Sequence, residues 1–158
     1  MASKYSMNDR PSWPRRAIVT AGEPYGNKGL HFGHVGGVFV PADFFARFLR
    51  DRLGRENVIF TSGTDCYGSP IMESYRKLKE NEGYDKSIGE YVESNHSRPA
   101  ATLNNYNISC DIYGGSGLEP AAQIHNEVTA EIIKRLHEQG TISKRSTLQF
   151  YDAKAGTF

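Results

Sequence analysis

The chain has 158 residues, close to one ordinary domain, and its 38% hydrophobic and 11% aromatic content suffices for a core and argues against global disorder. Nineteen basic against eighteen acidic residues leave a formal charge of +1, without the basic footprint of a nucleic-acid-binding domain. Cys66 and Cys110 stand far apart, which excludes a CxxC zinc ribbon and a secreted disulfide framework, and no apolar run approaches the ~18 residues of a membrane span.

Residues 1–15 are polar around Pro11 and Pro14 and lack an apolar h-region, so they read as a flexible tail rather than a signal peptide, and a cytoplasmic protein is the expectation. Residues 17–21 form a short β-rich run, expected as a buried strand. A corner rich in glycine follows, from Glu23 to Gly37, carrying His31 and His34. Val35, Val38, Ala42, Phe45, Ala46 and Leu49 then recur at helical spacing, predicting a helix to about Arg52. Pro41 should bend that helix or start a fresh segment, because proline lacks a backbone donor. Gly54 ends it, and residues 57–62 are expected as a second buried strand, parallel to the first in a βαβ unit.

A second polar corner spans residues 63–68, and a helix is predicted from Pro70 to about Glu80. Residues 87–105 read as helical with an interruption near Pro99, and residues 110–113 as a third short strand before Gly114 and Gly115. The clearest helix spans residues 120–139, where Ile124, Val128, Ile132 and Leu136 fall every fourth residue and Gly140 closes it. Residues 147–151 are a strand candidate, and the end at residues 155–158, in mid-turn, reads as a cut.

In an open α/β sheet, ligands sit beyond the carboxyl ends of the strands, so both corners should face one crevice. The first corner also opens a helix, whose free N–H groups suit a phosphate. Gly29 and Gly33 leave room for close backbone approach by a nucleotide. His31 and His34, at i and i+3, can lie on one side and donate hydrogen bonds to a phosphoryl oxygen as its charge develops.

The run Pro24-Tyr25-Gly26-Asn27 followed by His31-Phe32-Gly33-His34 resembles the HIGH signature of class I aminoacyl-tRNA synthetases, in its methionyl-tRNA synthetase form. Gly63-Thr64-Asp65 with Gly68-Ser69-Pro70-Ile71, Asn107-Ile108-Ser109 with Asp111, and Gln149-Phe150-Tyr151-Asp152 are similar to that family in the same order. The resemblance implies an α/β fold: the N-terminal half of a Rossmann-like (HUP-type) parallel-sheet nucleotide-binding domain over residues 16–140, with the start of a connective insertion over 141–158. It implies ATP-dependent amino-acid activation, in which a carboxylate attacks the α-phosphorus of ATP, giving an aminoacyl-adenylate and pyrophosphate. His31 and His34 are then the catalytic pair. Tyr25, Gly26, Asn27, Gly29, His31, Gly33 and His34 would bind ATP, while Glu23, Tyr25 and Asp65 would bind the amino acid, Asp65 through its α-ammonium group. Mg2+ would come with the nucleotide, no metal site is read within the chain, and a zinc knuckle would lie beyond residue 158. tRNA would be held by parts outside the chain.

Two positions depart from the family pattern. Where the family has an apolar residue, commonly leucine, at the thioether's pocket, this chain has Glu23, and where it reads Asp-Glu-His, this chain reads Asp65-Cys66-Tyr67. A carboxylate beside an apolar substrate is costly unless paired, so Glu23 suits a substrate with an extra amine or hydrogen-bond donor, or else turns out to solvent. These departures leave open an alternative, a paralogue that adenylates an amino acid for small-molecule biosynthesis, such as amino-acid coupling with nitrogen–nitrogen bond formation, without tRNA. Ser143-Lys144-Arg145-Ser146 resembles the family's KMSKS loop only loosely and reads as surface charge.

Overall fold

A computed structural model describes residues 13–154 and residue 156 of the chain. Most of the expected tail and three of the four residues of the expected cut end, 155, 157 and 158, lie outside the described residues. Trp13, the first described residue, already packs on Phe48 with ring centroids 5.8 Å apart.

The architecture is α/β, as expected. Three parallel strands, β1 (Ala17–Thr20), β2 (Val58–Thr64) and β3 (Ile112–Gly115), lie in the order β1-β2-β3, with Ala17 opposite Val58 and Thr61 opposite Ile112. Between β1 and β2 runs one helical stretch: a short turn α1 (Phe32–His34), a π-helical turn (Val35–Phe39) and α2 (Val40–Leu53). The π turn answers the question raised by Pro41. The proline ring would clash with the carbonyl four residues back, and widening the preceding turn, with Val40 N–H bonded to Val35 O, lets α2 start afresh with proline in its first turn.

Helices α3 (Ser69–Glu82) and α4 (Ile88–Asn105) fill the β2-to-β3 connection, and α5 (Ala121–Glu138) follows β3. Ser87 opens α4 with a capping box, its hydroxyl accepting from Glu90 N–H while the Glu90 carboxylate accepts from Ser87 N–H. The expected interruption at Pro99 does not occur. Pro99 is fully buried among Asn95, Leu103 and the rest of the inner face of α4, and that packing offsets the ~3 kcal/mol a mid-helix proline costs.

The core lies on one face of the sheet, where Val19, Ala21, Val58 and Phe60 meet Phe39, Ala46, Leu49 and Leu103. Alternate strand residues point to opposite faces, and on the opposite face Ile18, Ile59 and Ile112 stay exposed among the described residues. Ile18 is 71% exposed, so the expectation of a buried β1 holds for Val19 alone among its four residues. Two further expectations are corrected. The third strand starts two residues later than expected and takes in Gly114 and Gly115, because a Cβ at Gly63 would sit 2.3 Å from Gly114 O and the β2–β3 pairing needs glycine there. Residues 147–151 form no strand, and Leu148 and Phe150 are fully exposed. The stripe of α5 is real as a helix, but Ile124, Val128, Ile132 and Ile133 lie exposed and only Ala122 is buried.

A buried polar clamp ties α2 to the segment that enters β3. Asp43 accepts hydrogen bonds from Ser109 N–H, the Ser109 hydroxyl and Arg47 Nε. Arg50 donates to Ser109 O at 3.0 Å and to Asp111 at 2.6 Å, and Asp111 in turn accepts from Phe60 N–H of β2. Burial alone would raise the Asp43 carboxyl, but the bonds from Ser109 and Arg47 hold it below its ordinary range. Asp111 behaves likewise, its desolvation outweighed by Phe60 N–H and Arg50.

Candidate active site

Both corners leave the sheet at the carboxyl ends of the strands, and the backbone ties them together. Tyr25 and Asp65 form a parallel β-bridge, with Gly26 N–H donating to Asp65 O at 2.8 Å and Asp65 N–H to Pro24 O at 2.9 Å. This contact is close enough to require glycine: a Cβ on Gly26 would meet Thr64 at 3.1 Å and Val92 at 3.3 Å. Gly26 therefore serves the packing of the two corners. Asn27 also turns inward, its side-chain amide reaching Ser74 of α3 at 3.3 Å and its carbonyl accepting from the Tyr91 hydroxyl at 2.8 Å.

The two histidines hold each other in place. His31 Nδ1 accepts from Gly33 N–H at 3.1 Å, His34 Nδ1 accepts from His31 N–H at 3.3 Å, and the rings stack with centroids 3.8 Å apart. An Nδ1 that accepts a hydrogen bond carries no proton, so each neutral ring carries its proton on Nε2. The pair thus keeps two Nε2–H donors out of the hydrogen bonding that shapes the first helical turn. Burial, then the nearby His31 and Lys28, push His34 below its ordinary value of 6.5, which keeps it neutral at pH 7. Gly33 has a local reason beyond ligand access: a Cβ there would lie 3.0 Å from the His31 ring and displace it from the Gly33 amide. At Gly29 a Cβ would meet nothing, so that position is open to an incoming group.

A cavity of about 320 Å³ opens between the first corner and the helical stretch, lined by Glu23, Pro24, Tyr25, Lys28, His34 and Val38 among others. Its size is at the lower end for small-molecule pockets. Tyr25 is about half exposed and lines this cavity, so it is not a core residue. Asp65 makes a local turn, its Oδ1 accepting from Tyr67 N–H at 3.0 Å, and its second carboxylate oxygen has no partner among the described residues. Glu23 carries its carboxylate in over β2: Oε1 lies 3.2 Å from where a Gly63 Cβ would be. Of the residues that depart from the family pattern, Cys66 and Tyr67 lie outside the lining of this cavity. Cys66 N–H donates to the Ser116 hydroxyl, and Tyr67 stacks on His125 of α5 at 6.3 Å.

Lys28 and a buried network were missed in the sequence. Thr64 Oγ1 lies 2.9 Å from His96 Nδ1 and 3.2 Å from the Tyr113 hydroxyl, and the His96 and Tyr113 rings stack at 5.2 Å. Burial pushes His96 down and Tyr113 up, so both stay neutral, and the negative charge of Glu23 adds to the effect on Tyr113. A signal existed, because His96 falls between Val92 and Pro99 on the buried face of α4, where a histidine needs a partner. Among the described residues no group of three His, Cys, Asp or Glu side chains is placed to hold a metal ion, and no helix is long and apolar enough to cross a membrane.

A family model described as tRNA synthetases class I (M) matches residues 17–158. The methionine–tRNA ligase of Cytophaga hutchinsonii is 37% identical over 145 residues, which cover 92% of this chain and 19% of that protein. The methionine–tRNA ligase of Pyrococcus abyssi is 38% identical over 136 residues, 86% of this chain and 17% of its own length, and that of Bacteroides fragilis is 33% identical over 144 residues, 91% and 19%. The chain spans less than a fifth of the length of these curated relatives.

Proposed function

Because the chain belongs to the family of class I tRNA synthetases (M), we propose that its corner works in the ATP-dependent activation of an amino acid, as part of a longer methionyl-tRNA synthetase-like ligase. The amino-acid carboxylate oxygen attacks the α-phosphorus of ATP, a P–O bond forms to the carboxylate, and the bond to pyrophosphate breaks. Charge builds on the α-phosphate oxygens in that displacement. The observation that carries the reading is the stacked histidine pair, whose rings are held through Nδ1 before any ligand arrives and keep two Nε2–H donors to meet that charge. Lys28 adds a positive charge on the same side as His34. Gly29 and Gly33 admit the triphosphate, which brings Mg2+, and Gly26 and Asn27 fix the shape of the corner that receives it.

On the amino-acid side, Asp65 presents its unpartnered carboxylate oxygen to the α-ammonium, and Tyr25 and Glu23 line the pocket. Residues 16–140 supply this half of the nucleotide site, and residues 141–158 lead into an insertion. The names of the relatives support tRNA as the final acceptor over the tRNA-independent alternative, and the cytoplasm is the compartment proposed for the work. Full-length protein should show amino-acid-dependent exchange of labelled pyrophosphate into ATP. Absence of exchange with every amino acid would refute the activation, and exchange without any charging of tRNA would refute the tRNA acceptor alone.

A further inference from the structure

The cavity beside the first corner has two electrically different ends. Lys28 and His34 stand together at one end, close enough for the Lys28 charge to bear on His34. Glu23 occupies the other end, over Gly63 and near the Tyr113 phenol. The carboxylate has no hydrogen bond or ion pair to any described residue, Lys28 included, although Lys28 lines the same cavity. Glu23 is exposed as a residue, and its Oε1 reaches over Gly63, 3.2 Å from where a Cβ there would be. A carboxylate held at the wall of a small cavity disfavours an apolar group beside it and favours a cation, through a charge-assisted hydrogen bond of roughly twice ordinary strength. The Tyr113 hydroxyl lies 3.2 Å from Thr64 Oγ1, which His96 Nδ1 meets at 2.9 Å, so neither the phenol nor His96 bonds Glu23.

We propose that this cavity takes a diamino acid, and that Glu23 selects it by binding the side-chain ammonium group. The proposal rests on the amino-acid activation described above. The substrate carboxylate then points to the Lys28 and His34 end, where the α-phosphate arrives, its α-ammonium meets Asp65, and its second ammonium meets Glu23. The opposed charges of the cavity match the opposed charges of such a substrate end for end. Methionine has no group that satisfies Glu23 and leaves that carboxylate unpaired against a thioether.

The test is pyrophosphate exchange by the full-length protein with methionine, 2,4-diaminobutyrate, ornithine and lysine, in the natural form and as Glu23→Gln and Glu23→Leu. The natural form should prefer one of the diamino acids to methionine by at least tenfold in kcat/KM. Glu23→Leu should shift that ratio toward methionine by about a hundredfold, and Glu23→Gln should shift it less. Thermal melting should be unchanged, since Glu23 has no partner to lose. Preference of the natural form for methionine, or an equal loss with every amino acid in both variants, would overturn the selection by Glu23 while leaving the activation standing. Absence of exchange with any amino acid would overturn both.

Discussion

The histidine corner and the Asp43–Arg50–Asp111 clamp are both clusters of polar side chains, built at opposite extremes of satisfaction. In the clamp nearly every donor meets an acceptor: Asp43 receives Ser109 and Arg47, Arg50 holds Ser109 and Asp111, and Asp111 closes on the backbone of β2. In the corner each imidazole uses only Nδ1 for the fold and leaves Nε2–H without a partner among the described residues. Glu23 and one oxygen of Asp65 are likewise unspent. The difference teaches how to tell structural polarity from chemical polarity. A buried group that is fully bonded holds elements together, whereas one half-bonded in a cavity is oriented by the fold and kept available for a ligand.

Substitutions should separate the two clusters by what they damage. Replacing His31 or His34 by alanine removes one oriented donor, which should lower amino-acid-dependent exchange by about 10²–10³ with little change in melting temperature. An equal loss of stability would place the histidines with the clamp. Arg50→Met should do the reverse. Its side chain is only 7% exposed, and losing it strands Asp111, so unfolding in urea should show a loss of about 3 kcal/mol, at the low end for a broken buried pair because Asp111 is partly exposed. Exchange measured on the fraction still folded should persist.

Acidity should resolve them in sequence. His34 has a lowered value in the fold, so the neutral ring whose Nδ1 accepts from His31 N–H persists as pH drops to 6.5, and only as pH falls further through the depressed value is the bond that orients the ring lost. Exchange should decline first, in that window, with the structure intact. Asp43 and Asp111 are also held below their ordinary 3.8, so the stability they contribute is present above that value and is lost as pH falls through the depressed ones. Acid unfolding should follow at lower pH, and Asp43→Asn should flatten that limb of the stability curve. Coincident loss of activity and structure would mean that the corner has no separate titration.

Much of the site was legible because its signals are local. Glycines at a strand-to-helix corner, two histidines at i and i+3 and the departure at Glu23 all sit within one short stretch, and their geometry follows from a single helical turn. The bonds of each Nδ1 to backbone amides within three residues are part of that same turn. Lys28 escaped notice because a lone lysine in a glycine-rich loop has no distinguishing neighbour in sequence. His96 escaped because its partner, Thr64, is 32 residues away.

Sequence alone thus determined the order of the three strands and the main helices, the stop at Gly54, the two corners and the candidate side chains in them, since each depends on contacts within a turn or on the period of apolar residues. Tertiary structure decided the rest. The register that draws Gly114 and Gly115 into β3 depends on the close approach of Gly63, the continuity of α4 through Pro99 depends on burial, and the bare faces of the sheet and of α5 depend on which layers are present to cover them. It also decided that Glu23, exposed as a residue, reaches over β2 with its carboxylate. That outcome rests on the absence of a side chain at Gly63, forty residues along the chain, which no local rule connects to the corner.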